Sequence, residues 1–413
     1  MSAPACRLCG APLEHTFVDL GMSPPCETYL TPDQVDQGET FYPLHVRVCS
    51  QCLLVQLPAY IPAEDIFSDY AYFSSYSDSW VEHARRFVDD AVARLGLGPD
   101  AFVVEIASND GYLLQHVVAK GIRCLGIEPA ANVAQAAIDK GIETVVEFLG
   151  EETGTKVAAE HGRADLVVAN NVFAHVPDIV DFSKGLRALL ADDGRVSIEI
   201  PHLLRLIDGN EYDTIYHEHF SYLSLLTTQR VLAAAGLTVV DVEELPSHGG
   251  SLRTWSAPTE TAPEPSPAVA KVLADEAAAG LDTLDGHDGF APQVEKVRED
   301  LMGFLFQAKR EGKSVVAYGA PGKGNTLLNH CAIRSDLIRF SVDRNPYKHG
   351  RFLPGTHIPI HPVEALADAR PDYVVIMPWN LRKEIAAQLA YVADWGGKLV
   401  VALPSLEVFE PGA

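Results

Sequence analysis

Apolar residues recur every three or four positions through 80–95, at Val81, Ala84, Phe87, Val88, Ala91, Val92 and Leu95, and this spacing predicts an amphipathic helix. Beyond it the pattern changes to apolar runs of strand length at 102–106, 124–127, 165–169 and 195–200, separated by helical periodicities near 111–120, 130–140 and 179–191. Strand and helix in alternation predict a parallel sheet with helices on both faces. A second series follows, with helical patterns at 268–279 and 294–308 and strand runs at 314–318, 340–342, 373–377 and 398–402. Between the two series Pro258, Pro263, Pro265 and Pro267 mark a linker or exposed connection. Ahead of both, 43–48 and 53–57 read as short strands of a small module, and 69–77 is dense in hydroxyls and aromatics. The expected architecture is α/β in three parts: a small N-terminal module over 1–66, a central doubly wound domain over 67–257 and a smaller Rossmann-like domain over 258–413.

Composition bounds the function more than the fold. A chain of 413 residues is too long for a single core of ordinary size. No apolar run has the length to span a bilayer, and the first residues carry neither a basic region nor an apolar stretch, so no membrane association and a cytoplasmic location are expected. The formal charge of −24 disfavours nucleic acid and anionic membranes, both of which reward surplus Lys and Arg. The charge is uneven, with nine cations against three acids between Lys309 and Arg351, so an anionic small molecule is expected to dock there. A monomer is expected.

Four cysteines carry the first chemical signal. Cys6-Arg7-Leu8-Cys9 and Cys49-Ser50-Gln51-Cys52 are two CxxC pairs 39 residues apart, each able to present two thiolates from a tight turn. Together they predict a tetrahedral structural Zn2+ site with no position left for substrate. Disulfides are the competing reading, and a cytosolic chain has little use for them. Cys26, Cys124 and Cys331 stand alone, the last two read as core residues.

In a doubly wound sheet the ligand belongs at the carboxyl ends of the strands. There the chain reads Glu105-Ile106-Ala107-Ser108-Asn109-Asp110-Gly111 and, after the next strand, Glu128-Pro129. The GxGxxG of a dinucleotide site is absent and acids and amides stand in its place, so a cationic ligand without phosphates fits better. S-adenosylmethionine is such a ligand. Glu105, Ala107, Asn109 and Gly111 are its expected loop partners, Glu128 beside Pro129 an acceptor for its ribose, Glu147 and Phe148 the border of its adenine, and Asn170 and Asn171 its neighbours after the third strand.

A second loop, Tyr318-Gly319-Ala320-Pro321-Gly322-Lys323-Gly324-Asn325, follows a strand and opens a helix. Its glycines would let backbone N–H groups approach a phosphate and Lys323 would add a cation, though the spacing is not that of a Walker loop. A nucleotide diphosphate bound without hydrolysis is the expected ligand of Gly319, Pro321, Gly322, Lys323, Gly324 and Asn325, with Asp343 and Arg344 holding ribose or phosphate.

Between the two loops lies Tyr216-His217-Glu218-His219, four consecutive groups that can hold or move a proton. It is the expected reacting centre. His217 and His219 are two apart, not four, so they cannot share a helical face as a zinc pair does. An extended segment would align them, and a metal site then needs ligands from elsewhere. His217 has no assigned role.

Taken together, the paired CxxC motifs, 69–77, 105–111, 170–175, 216–219, His248-Gly249-Gly250-Ser251-Leu252-Arg253 and 319–325 resemble the nucleotide-sugar C-methyltransferases of antibiotic deoxysugar pathways, the family of the tetronitrose-pathway sugar 3-C-methyltransferase. The likeness covers nearly the whole chain. It implies a zinc module, a central S-adenosylmethionine domain with Tyr72, Ser75 and Tyr76 also at the cofactor, and a C-terminal domain holding a dTDP-linked 4-keto-deoxysugar. Carried over by motif, its active site falls on Tyr70, His175, Tyr216, Glu218 and His219, and it implies methylation at C-3 through an enolate with His219 as base. Methylation at C-5 or on oxygen or nitrogen, a non-catalytic nucleotide-sugar-binding protein, and a metalloenzyme using His217 and His219 are the alternatives.

Overall fold

The computed structural model describes residues 4–62, 66 and 73–411. Tyr70 and Tyr72 lie outside the described residues. The chain divides into two compact units, one formed by Met1–Glu14, Val48–Leu203 and Phe220–Leu284, the other by His15–Arg47, Leu204–His219 and Asp285–Ala413.

The first unit is built on seven strands: β1 (Phe102–Ile106), β2 (Arg123–Ile127), β3 (Thr144–Val145), β4 (Ala164–Asn170), β5 (Leu190–Pro201), β6 (Leu237–Leu245) and β7 (Ser251–Pro258). Their order is β6-β7-β5-β4-β1-β2-β3. The five strands from β5 to β3 are parallel, and β7 runs antiparallel to both of its neighbours. Chain order reverses between β1 and β4, which makes the carboxyl ends of those two strands the natural ligand crevice. The continuous apolar runs noted in the sequence exist because both faces are covered. Val104, Ile106, Val167, Ala169, Ile198 and Ile200 point into one core, and Val103, Leu166, Val168 and Trp255 into the other.

Helix α1 (Asp78–Leu95) lies on the second face with Ala84, Phe87, Val88 and Ala91 buried, as its periodicity predicts. Ser77 caps its start by accepting from the Trp80 N–H, and Gly96 ends it at φ 64°, a conformation that suits glycine. The proline-rich stretch is an exposed connection inside this unit. Pro258 ends β7, a fully buried strand, and Pro267 opens helix α2 (Pro267–Ala278), where its missing N–H costs nothing.

The second unit holds a six-stranded sheet of β8 (Val315–Tyr318), β9 (Ser341–Val342), β10 (Ile360–His361), β11 (Tyr373–Ile376), β12 (Lys398–Val401) and β13 (Glu407–Phe409), in the order β10-β9-β8-β11-β12-β13. All are parallel except β13. Helices α3 (Phe290–Arg310) and α4 (Gly322–His330) belong to the same unit, and Phe17 of the strand His15–Ser23 stacks on Phe290 at 4.7 Å. No helix among the described residues is long and apolar enough to cross a membrane.

Candidate functional site

Tight turns bring the four N-terminal cysteines together. Gly10, at φ 74°, returns the chain so that its N–H reaches the Cys6 carbonyl, and the Leu53 N–H reaches the Cys49 carbonyl in the same way. The sulfurs of Cys6 and Cys52 are 3.5 Å apart, as are those of Cys9 and Cys49, and all four lie within 4.8 Å of one another. A disulfide needs about 2.05 Å, whereas thiolates about 2.3 Å from a central zinc stand roughly 3.8 Å apart. The donor set therefore fits a tetrahedral Zn2+. Among the described residues no other His, Cys, Asp or Glu group converges in this manner, so His217 and His219 gain no third ligand.

The crevice at β1 and β4 carries the second cluster. Ala107, Asn109 and Asn171 adopt φ of 53°, 50° and 55°, a left-handed conformation costing on the order of 1–3 kcal/mol at each non-glycine residue. Gly111 sits at φ 79°, and a Cβ there would meet Ile142 Cδ1 at 2.3 Å. Glu128 accepts from the Asn109 and Ala130 N–H groups, one on each oxygen. The Asn109 side chain accepts from the Ser74 N–H at 2.8 Å, and Ser75 bonds Asp110. Burial and the Glu128 charge push Glu105 well above the carboxylate range. Glu105 Oε2, Asp110 Oδ1, Asn170 Oδ1 and both side-chain amide atoms of Asn171 are buried without a protein partner among the described residues. Strained loops and orphaned polar atoms at a topological switch point are the marks of a ligand site, and acids with amides fit a cationic aminoacyl group. Pro129 follows in the same loop. Phe148 is exposed, and Glu147 is engaged at the surface by Lys156 and Thr153. Tyr76 is exposed.

Glu199, on the same sheet face as Glu105 and Asn170, was not singled out by the sequence. It is fully buried and accepts from Arg253 at 2.8 Å, His83 at 2.9 Å and Ser247 at 2.9 Å. Burial would raise its pKa, but the His83 hydrogen bond and the Arg253 charge overrule burial and hold it at about 2. A depressed carboxyl adds stability that is complete above its ordinary pKa and lost as pH falls toward 2. Glu199→Gln strands a buried guanidinium and is expected to cost roughly 3–5 kcal/mol at neutral pH in urea unfolding, with a smaller loss of stability on acidification. A variant as stable as the wild type at neutral pH would contradict this.

Tyr216, His217, Glu218 and His219 close a segment of the second unit. The Tyr216 and His219 rings lie 4.1 Å apart, and His219 Nδ1 is 2.8 Å from the Thr214 carbonyl. A carbonyl only accepts, so the proton sits on Nδ1 and the basic lone pair on Nε2. His217 is buried against Tyr42, where desolvation favours its neutral form. Glu218 is buried with the Cys26 thiol 3.6 Å from Oε1, and burial together with the Glu27 charge raises its pKa to about 7. A raised carboxyl stabilises the fold below its ordinary pKa and loses that contribution as pH climbs through 7. Glu218→Gln is expected to flatten the decline in stability between about pH 4.5 and 7, read from thermal melts across that range. An unchanged profile would remove Glu218 as its source.

The glycine-rich loop holds protein where the sequence suggested phosphate. Gly322, the first residue of α4, gives its N–H to Glu27, and a Cβ on it would meet Glu27 Oε1 at 2.8 Å and Cys26 Sγ at 2.9 Å. Gly324 is packed on Met377 and Gly319 on Pro378. Asn325 donates to the Cys26 carbonyl, Pro321 precedes the helix, and Lys323 bonds Asn380 with its ammonium 4.7 Å from the Trp379 ring. The carboxyl group at this helix start is the chain's own Glu27. Asp343 and Arg344 instead line a cleft of about 330 Å³ at the carboxyl ends of β8 and β9, with Tyr318, His349, Glu364 and Gln388. Its Asp343 oxygens accept from the Ala320 and Asn345 N–H groups.

His175 belongs to the first unit, in the short turn Phe173–His175 after β4. The chain residue next to His219 is Phe220, whose N–H bonds the Ala174 carbonyl at 2.8 Å. Sequence reasoning passed over Cys26, Glu27, His83, Glu199 and Gln388. A charged residue inside the buried run 195–200 was the available signal for Glu199.

Three families match successive stretches of the chain. Residues 6–67 match a zinc-binding domain family, 80–242 a methyltransferase domain and 246–404 a C-methyltransferase C-terminal domain. The chain is 38% identical over 403 residues to the C-methyltransferase NovU of Streptomyces niveus, covering 98% of this chain and 96% of that protein. Among solved structures, magnesium protoporphyrin IX methyltransferase of Synechocystis with bound S-adenosylmethionine matches 43% of this chain and 81% of its own at 16% identity and a TM-score of 0.32. A Pyrococcus horikoshii protein matches 47% and 97% at 14% identity and a TM-score of 0.37.

Proposed function

The chain belongs to the C-methyltransferase family and uses S-adenosylmethionine, and from that premise we propose that its acceptor is C-3 of a dTDP-linked 4-keto-deoxysugar, in antibiotic deoxysugar biosynthesis. The observation that carries the reading is the His219 geometry, with Nδ1 tied to the Thr214 carbonyl, which puts the basic lone pair on Nε2, in a ring 4.1 Å from that of Tyr216.

Carbon is a poor nucleophile until its proton is removed. A ketone at C-4 acidifies the C-3 hydrogen, and a base with a pKa near neutrality then suffices. His219 Nε2 takes that proton, the C–H electron pair becomes the enolate, and the Thr214 carbonyl stabilises the imidazolium through Nδ1–H. His175 or a tyrosine, Tyr216 or Tyr70, donates toward the developing enolate oxygen, where stabilisation is most effective. Glu218, poised near pH 7, positions the sugar or the histidine. When bound, S-adenosylmethionine supplies an electrophilic methyl carbon on a sulfonium. Asn109, Glu128, Asn170 and Asn171 would hold it, with Asn109 and Asn171 in strained turns and Asn170 Oδ1 and both amide atoms of Asn171 buried without a protein partner among the described residues. The cleft lined by Asp343, Arg344 and His349 takes the nucleotide end of the sugar.

The test is mass spectrometry of a dTDP-4-keto-6-deoxysugar incubated with S-adenosylmethionine and the enzyme, followed by assignment of the methylated carbon. One added methyl at C-3, and none on the sugar reduced at C-4, is expected. Methylation of the reduced sugar would replace the enolate reading by transfer to oxygen or nitrogen.

A further inference from the structure

Arg7 sits inside the first CxxC turn, between two metal-ligand cysteines, yet its side chain does not face the sulfurs. It reaches away from them. Its Nη1 donates to the Val176 and Pro177 carbonyls at 3.4 and 3.3 Å, its Nη2 donates to the Leu57 carbonyl, and its guanidinium carbon lies 5.5 Å from the centre of the Phe220 ring. Val176 and Pro177 directly follow His175. Phe220 directly follows His219 in the chain, its N–H holds the Ala174 carbonyl, and its carbonyl accepts from the Leu57 N–H at 3.0 Å.

Gln56 joins this arrangement to the metal site. Its Oε1 accepts from the Arg7 backbone N–H at 3.0 Å and from Nε at 3.3 Å, while its Nε2 is 3.1 Å from Cys6 Sγ. Gln56 is itself fixed by antiparallel pairing of Val55–Gln56 with Ser221–Tyr222. A continuous set of hydrogen bonds therefore runs from a cysteine ligand through Gln56 and Arg7 to the backbone flanking His175. Carbonyls at 176 and 177 lie in a loop with no strand partner of their own, so a planar multi-donor fork has a geometric advantage there that a lysine lacks.

We propose that Arg7 is a positioning residue for the reaction, through which the four-cysteine site sets the place of the His175 turn. This rests on the reading of His175 as an active-site group, and the zinc is the hub that orients Arg7 instead of an inert brace. Groups that orient a metal site's surroundings typically cost about 10–100-fold in activity when removed.

The experiment compares Arg7→Ala, Arg7→Lys, His175→Ala and the double variant Arg7→Ala with His175→Ala, all with zinc content and circular dichroism measured first. In Arg7→Ala we expect zinc retained, amide hydrogen exchange in 172–178 and at Phe220 faster by about tenfold, and kcat down about 10–100-fold with KM for S-adenosylmethionine within about twofold. Millimolar guanidinium is expected to restore part of kcat, and Arg7→Lys to fall between. Adding Arg7→Ala to His175→Ala is expected to lower kcat little further. Unchanged exchange in 172–178 with zinc retained overturns the proposal, and so does a full additional loss in the double variant. If His175→Ala alone keeps full activity while Arg7→Ala accelerates exchange, the active-site reading of His175 fails and the hydrogen-bonded link stands. Should Arg7→Ala lose its zinc, Gln56→Glu, which replaces the amide donor to Cys6 while keeping the acceptor for Arg7, carries the same exchange measurement.

Discussion

Alanine in place of His219 is expected to leave a folded, zinc-loaded chain whose methyl transfer is slower by roughly 10²–10⁴-fold, the range that positioned general bases contribute. The loss should fall on kcat. The Nδ1 bond to the Thr214 carbonyl and the Tyr216 ring at 4.1 Å fix the imidazole plane, so truncation removes a prepositioned base. Exchange of the C-3 hydrogen with deuterated water isolates the step, because it needs no methyl donor. Wild type should exchange in the absence of S-adenosylmethionine and His219→Ala should not. Undiminished exchange in the variant would take the base role from His219. Glutamine at this position is the sharper control: it keeps a polar side chain of similar reach and has no basic nitrogen, and it should behave like alanine.

Legibility in the sequence followed the range of the interaction. The strands and helices of both sheets were readable because burial on two faces imposes continuous apolar runs, and the four-cysteine site was readable because its chemistry is local to two turns. The crevice at β1 and β4 was legible from residue types alone, with amides and acids at 105–111, 128 and 170–171. What escaped was long-range pairing of polar groups. Glu199 and Arg253 are 54 residues apart in the chain and face each other only because β5 and β7 are neighbours. Gly322 and Gly324 read as room for a phosphate, while the space is filled by Glu27 and Met377 from distant segments. A glycine records that something approaches closely and does not record what. The motif at 248–253 is explained in part by the same geometry, since its Arg253 serves the buried Glu199.

Loss of the zinc ligands should produce the largest effect of all. Structural zinc binding in small cysteine sites has apparent free energies on the order of 10–16 kcal/mol, and folding is coupled to it. Here the site is more than a surface clip: Cys6, Cys49, Cys52 and Leu54 belong to the same buried cluster as Val104, Val167 and Ile198 of the central sheet. Arg230 also donates to the Cys52 carbonyl at 2.8 Å, tying the second cysteine turn to the helix Leu225–Ala233. Cys49→Ser is therefore expected to lose its metal, lower the melting temperature and expose residues 48–57 to proteolysis. Chelation of the wild type should do the same, and added Zn2+ should reverse it there and fail to do so in the variant. Activity should fall with the metal by at least the roughly 10–100-fold expected of Arg7→Ala, even while α1 and the sheet under it keep their circular dichroism, because the hold on 176–177 through Gln56 and Arg7 starts at Cys6. A metal-free Cys49→Ser chain that melts with the wild type and methylates at its rate would show that the four sulfurs hold nothing the fold requires.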